Sequence, residues 1–228
     1  YRFLCEVSLK IPGAQRITGK PAHMRIFWYY LGLGVFLLAI YACARRNEKH
    51  KDCRETADLC VSRRKKRLQG IVFSCFIAFL LLFLLFPQKK SFEIDFLDVG
   101  QGDGIYLCTG GGTSMFIDGG STDVKQVGKY RILPFLKAKG VSEISYWFVS
   151  HTDTDHVSGL KEVLVSGYRV EYLVFAKAVE KEAKTKELAE LARSHGTKVL
   201  YMQAGDTVRS KRAAMRCLYP KAADKAEN

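Results

Sequence analysis

Two uncharged runs, at residues 26–44 and 68–88, constrain this chain more than anything else in it. The first is 19 residues long and mostly large and apolar. A helix needs roughly 20 such residues to cross a bilayer. Phe27-Trp28-Tyr29-Tyr30, near its start, has the makeup of an aromatic interfacial belt. The second run has its apolar core at 71–86, slightly short, and Arg67 and Lys89 can snorkel to extend it. No small-residue cleavage site follows the first run, which argues against a signal peptide. Two buried helices of a soluble core are the competing reading. It fits poorly, because both runs exceed ordinary core-helix lengths. We therefore expect transmembrane helices at 26–44 and 68–88 and a multi-pass protein of the cell membrane, with the lipid bilayer as a partner.

Charge sets the orientation. The connector 45–67 holds ten Lys/Arg against four Asp/Glu and closes on Arg63-Arg64-Lys65-Lys66-Arg67. A short basic connector stays in the cytoplasm, so 45–67 is expected as a cytoplasmic loop and everything beyond the second span as extracytoplasmic. Residues 1–25, with Pro12-Gly13 and Gly19-Lys20-Pro21, read as an extracytoplasmic or interfacial segment. Of the net charge of +13, residues 1–90 carry nearly all, with 17 Lys/Arg and 5 Asp/Glu; residues 91–228 carry 19 and 18. The later part thus lacks the clustered basic excess of a strong nucleic-acid binder. Its densest basic group, Lys177, Lys181, Lys184 and Lys186, is interspersed with Glu and reads as a solvated helix face. Seven cysteines without a CxxC pair indicate neither a zinc finger nor a disulfide framework.

After Lys89-Lys90 the periodicity changes. Residues 92–99 read as a strand, and 105–108 and 114–117 as two more joined through Gly110-Gly111-Gly112. Gly100-Gln101-Gly102-Asp103-Gly104 is not a phosphate loop, because a strand follows it and not a helix. We expect a tight turn that lets backbone pass close to a site. Residues 124–139 read as a short helix broken or kinked near Pro134 and ended by Gly140, 144–149 as a strand, and 160–165 as the continuation of a helix closed by Gly167. A strand at 170–175, an amphipathic helix at 179–194 capped by His195-Gly196, and strands at 199–202 and 215–219 complete the expectation. Alternating helices and strands make the class α/β.

Chemistry concentrates in His151-Thr152-Asp153-Thr154-Asp155-His156, between the apolar strand Tyr146-Trp147-Phe148-Val149 and the helix beginning near Val157. Imidazole nitrogen and carboxylate oxygen are both ligands for divalent first-row metals. The blander alternative is a polar loop whose Asp and His cap the next helix. With spacings of two and one, a single tight loop presents ligands toward two neighbouring points. Two metals about 3.5–4 Å apart can activate a water and stabilise in-line displacement at phosphorus. Asp118, at a strand end before Gly119-Gly120, could hydrogen-bond such a ligand from behind and fix its orientation.

His151-x-Asp153-x-Asp155-His156 after a strand, with Asp118-Gly119-Gly120 earlier, resembles the metallo-β-lactamase superfamily signature, which more often has His where Asp153 stands. Together with Leu97-Asp98-Val99-Gly100-Gln101-Gly102-Asp103 and the two preceding spans, the pattern resembles the C-terminal part of the ComEC family of DNA-internalisation competence proteins. The resemblance implies two transmembrane helices followed, over 91–228, by a metallo-β-lactamase-like αββα domain. It implies metal ligands at His151, Asp153, Asp155 and His156, a catalytic part for Asp155, a supporting Asp118, and Gln101 and Asp103 in the wall of the site. A further bridging Asp, more His ligands and a His-His-Gly-Ser motif are expected downstream in that family, and after His156 only His195 follows. With Tyr1 in place of Met, we expect a fragment with half a metal site, truncated at its C-terminus, inactive by itself and belonging to an active parent. Asp153 favours a harder cation than an all-His site does, so the expected cofactor is Zn or Mn, two ions in the complete domain.

The implied function is a membrane-anchored component of DNA uptake in natural competence, with an extracytoplasmic metal-dependent nuclease domain degrading the strand that is not imported. Single-stranded DNA and other competence proteins are its implied partners. Two alternatives stay open: an extracytoplasmic metallo-hydrolase of another ester or amide, and a non-catalytic channel or binding subunit.

Overall fold

The computed structural model describes residues 7, 17–49, 59–85, 91–210 and 214–221. It divides the chain into two units, residues 20–87 and residues 1–19 with 88–228.

The first unit is a helix pair, α1 (His23–Lys49) and α2 (Leu59–Leu85). Phe36 of α1 stacks on Phe73 and Phe76 of α2 with ring centroids 5.3 and 4.2 Å apart, and Gly32 faces Leu80. Rising numbers on one helix meet falling numbers on the other, so the pair is antiparallel. Leu38, Leu82 and Phe79 stay more than half exposed. Within α1, His23–Ala42 is 20 residues long with a mean hydropathy of 1.5, long and apolar enough to cross a membrane. The apolar part of α2, Gly70–Leu85, is shorter. Both helices outlast their apolar runs. The expected loop at 45–67 is helical up to Lys49 and again from Leu59. Lys, Arg and Glu are good helix formers, and nothing in those stretches breaks a helix. Residues 50–58, 86–90 and 222–228, and most of 1–16, lie outside the described residues; the expectations placed on them lie there too.

The second unit is built on a six-stranded sheet in sequential order: β1 (Glu93–Phe96), β2 (Gly104–Cys108), β3 (Ser114–Asp118), β4 (Glu143–Val149), β5 (Arg169–Ala176) and β6 (Lys198–Met202). The first three pair antiparallel through tight connections, and β3 to β6 run parallel through helical crossovers. Helices α3 (Leu133–Ala138), α4 (Thr154–Val165) and α5 (Ala183–Ser194) supply Leu136, Leu160, Leu164 and Leu188 to one core with Phe116, Trp147 and Leu173 of the sheet. Sharing one core puts all three helices on one face. On the other face a small sheet of β7 (Thr207–Arg209) and β8 (Ala214–Arg216) contributes Val208, which packs with Val174 and Met202. The described residues thus form one helix layer, one large sheet and a two-stranded sheet in a mixed α/β arrangement.

Three local expectations need correction. The helix expected at 124–139 is a π-helical turn, Gly128–Ile132, running into α3. Glu162 of α4 accepts the Lys129 N–H there, and Pro134, which has no N–H to donate, sits where the π-helical turn passes into α3. The helix expected at 179–194 begins only at Ala183. Glu182 is extended, and a short turn at Lys177–Val179 precedes it, with Lys177 paired to Glu180. The strand expected at 215–219 is three residues long and pairs with β7, an element too short for periodicity to expose.

Candidate metal centre

Pairing alone brings three strand ends to one edge. In the β2–β3 register Gly104 faces Asp118, so Asp103 precedes β2 beside the end of β3. In the parallel β3–β4 register Ile117 faces Phe148, which leaves Ser150 and His151 beside Asp118. Ligands of open α/β sheets sit at such carboxyl ends of strands.

The turn into the site needs glycine. A Cβ on Gly120 would lie 2.4 Å from the Thr154 oxygen and from the Asp155 carbonyl carbon. A Cβ on Gly102 would lie 2.3 Å from the Gly120 oxygen and 2.5 Å from the Asp155 oxygen. Three backbone segments therefore touch without side chains between them, and hydrogen bonds close the contact: Asp103 N–H donates to the Asp155 carbonyl (3.3 Å) and Gly119 N–H to the Asp103 carbonyl (2.7 Å). Gln101 stays on the exposed outer loop. Its N–H donates to Asp123 at 2.7 Å, and that bond is the first cause holding the Asp123 carboxyl below its ordinary pKa.

Asp118 is 5% exposed and has a positive φ of 58°. The Trp147 indole N–H donates to its carbonyl at 2.6 Å. Ser150 donates to its carboxylate twice, from N–H to Oδ1 and from the hydroxyl to Oδ2, both at 2.8 Å. Asp118 Oδ2 also lies 3.1 Å from His156 Nδ1. A carboxylate only accepts, so a hydrogen bond there puts the proton on Nδ1 and leaves the Nε2 lone pair free. Asp155 Oδ2 is 3.4 Å from that Nε2.

Two groups of ligand atoms result. One atom each from His151, Asp155 and His156 lie within 4.8 Å of one another, and so do one each from Asp103, Asp118 and His156. His156, 8% exposed, belongs to both. The rings of His151 and His156 have centroids 3.6 Å apart. Asp153 joins neither group. It occupies the N-cap position of α4 but makes no cap bond with its side chain. Its Oδ1 accepts from Lys184 Nζ at 2.9 Å, and its Oδ2 lies 4.0 Å from His151 Nε2. The Lys184 bond lowers the Asp153 pKa and raises that of Lys184. His195 stands apart, its Nδ1 2.9 Å from the Leu191 carbonyl at the end of α5.

Sequence reasoning missed two contributors. Ser150, just past the strand expected at 144–149, was given no role; it meets Asp118 through the parallel β3–β4 register, which no local sequence signal reveals. Lys184 was read as part of a solvated face, and nothing local in sequence announces its pairing with Asp153.

The arrangement defines a class, a mixed α/β protein with an imidazole–carboxylate cluster at the carboxyl edge of its sheet. No family model matches the chain. Over 184 residues it is 27% identical to ComE operon protein 3 of Bacillus subtilis (strain 168), covering 74% of this chain and 24% of that protein. Over 106 residues it is 31% identical to Recombination protein 2 of Haemophilus influenzae (strain ATCC 51907 / DSM 11121 / KW20 / Rd), covering 46% of this chain and 13% of that protein. The chain spans about a quarter of the first relative's length and less of the second's. These distant relatives support a competence-related family of the ComEC kind.

Proposed function

We propose that the chain is a membrane-anchored part of a DNA-uptake protein whose sheet unit is a metallo-β-lactamase-like, metal-dependent hydrolase acting on phosphodiesters outside the cytoplasm. The observation that carries this reading is the convergence of His151, Asp155, His156, Asp103 and Asp118 on two adjoining points. The donor set fits a divalent cation: imidazole and carboxylate mixed, with a nearly buried His156 whose Nδ1 is already engaged by Asp118. Relatives named for competence support DNA as the substrate and other competence proteins as partners. The length and hydropathy of α1, and the exposed apolar side chains of both helices, support the bilayer as the surroundings of the first unit.

A cation held there, Zn or Mn, would lower the pKa of a water and act as a Lewis acid toward a phosphoryl oxygen. The protein's own part is to hold and aim. His151, Asp155 and His156 supply one set of donors, and Asp103, shared His156 and Asp118 line the other. Asp118 keeps His156 in the tautomer that offers Nε2, and Ser150 keeps Asp118 from turning. Asp155 lies nearest the free nitrogen and is the carboxylate best placed to accept a proton at the reacting centre. Asp153 reaches the cluster by rotating away from Lys184.

Because the resemblance puts further ligands downstream of His156, ion binding is the primary readout. Calorimetric titration of the chain in detergent micelles with Mn²⁺ and with Zn²⁺ is expected to show binding that His156→Ala weakens at least tenfold. Equal binding by both proteins sinks the assignment. Single-stranded DNA, a phosphodiester reporter and a lactam then separate a nuclease from another hydrolase.

A further inference from the structure

Beside the cluster, on the side where Asp153 turns to Lys184, lies a cleft of about 200 Å³. Thr152 and Thr154 from the corner, Lys161 from α4, and Lys184 and Glu187 from α5 line it, over the buried Val157 and Leu188. Lys161 has no ion-pair partner among the described residues. Lys184 is held to Asp153, and Asp153 in turn stands 4.0 Å from His151. The ammonium group is thus one carboxylate away from the candidate ligands. Since Asp153 leaves the first turn of α4 without a side-chain cap, the positive end of that helix, at Thr154, belongs to the same rim. Among the lining side chains the two lysines outweigh Glu187 by a single positive charge, which matches one phosphodiester, and a phosphate seated there would compete with Asp153 for Lys184.

We propose that this cleft binds a backbone phosphate of a nucleic-acid strand, flanking the one presented to the cluster, with Lys184 and Lys161 as its cations and the two threonine hydroxyls as further donors. The inference rests on the reading of the cluster as a phosphodiester hydrolase and adds how a strand is positioned there. The near-neutral charge of residues 91–228 agrees with a single local phosphate site in place of a long basic track.

Amine footprinting tests this on the full chain in detergent micelles with EDTA, so that no cleavage intervenes. Lysines are acetylated with and without a short single-stranded oligodeoxynucleotide, and the sites are quantified by peptide mass. We expect the oligonucleotide to slow acetylation of Lys161 and Lys184 about tenfold, and the protection to fade steeply with added salt. Lys181 and Lys186 serve as references in the same stretch and are expected to keep their rates. Lys184→Ala is expected to raise the oligonucleotide concentration that half-protects Lys161 about tenfold, and Lys184→Arg to restore it. Lys161 and Lys184 reacting equally fast with and without oligonucleotide would overturn the proposal. A failed hydrolase reading looks different: Mn²⁺ and Zn²⁺ binding that His156→Ala leaves unchanged, with the protection of both lysines intact.

Discussion

The two sides of the ligand cluster are held in opposite ways. On the inner side, Asp118 and His156 are nearly buried, and Asp118 has every polar atom of its side chain engaged. On the outer side, the His151 and Asp153 side chains are 49% and 59% exposed, and Asp153 is tied to a lysine from another helix. A buried carboxylate with several donors has no cheap alternative position, whereas an exposed ion pair exchanges with water at little cost. The inner side is therefore fixed by the fold. The outer side is free to answer to what binds, and the two should respond differently to substitution.

The largest effect is expected from the backbone contact beneath both sides. Gly120→Ala puts a methyl group 2.4 Å from main-chain atoms that no rotamer change can move. We expect a loss of about 3 kcal/mol or more, seen in thermal unfolding of the chain, together with loss of ion binding. Next come the ligands themselves. His156→Ala is expected to weaken Mn²⁺ or Zn²⁺ binding about a hundredfold and His151→Ala about tenfold, because only the first removes a nearly buried ring that belongs to both groups and that Asp118 holds through Nδ1. Equal losses from the two would erase the distinction between the sides. Asp118→Asn keeps the shape but swaps an acceptor for a donor facing Ser150 and His156 Nδ1. About tenfold weaker ion binding with a little-changed melting temperature is expected; unaltered binding would show that Asp118 does not set the His156 tautomer.

Much of this was legible before the fold was. The strands at 105–108, 114–117, 144–149 and 170–175 follow from β-branched and aromatic runs bounded by glycine, and the structure extends each by only a residue or two. The corner at 151–156 stands out because four candidate ligand side chains fall within six residues. The glycines near 100–104 announced a close approach, and the structure places Gly102 there against the backbone of Gly120 and Asp155. What sequence could not supply was long-range partnership. That Asp103 meets Asp118 depends on the β2–β3 register, that Ser150 meets Asp118 depends on β3 and β4 running parallel, and that Lys184 reaches Asp153 depends on where α5 begins. That last boundary was misplaced by four residues, since a continuous amphipathic pattern hides the extended Glu182. On both sides the ligand types were legible and their partners were not, because the partners come from strands and helices distant in sequence.

The smallest expected effect bears on the outer side alone. The bond from Lys184 holds the Asp153 carboxyl below its ordinary pKa and pushes the Lys184 ammonium above its own. For a carboxyl whose folded pKa is depressed, the pair's contribution is fully present above the unfolded value, near 3.9, and is lost as pH falls through the folded one. For a lysine whose folded pKa is raised, the contribution is present below the unfolded value, near 10.4, and is lost as pH rises through the folded one. Between those limits the pair is intact, so neutral pH lies well inside its range. Both groups are solvent-exposed, so the effect belongs in a titration curve and not in a melting temperature. The carbon-13 shift of the Asp153 carboxyl in the ion-free chain is expected to titrate below the ordinary carboxylate range at low salt. It should return toward that range in Lys184→Ala and, in part, at high salt. A midpoint that ignores both changes would mean that Asp153 is held by something other than Lys184, and the outer side would then be as fixed as the inner.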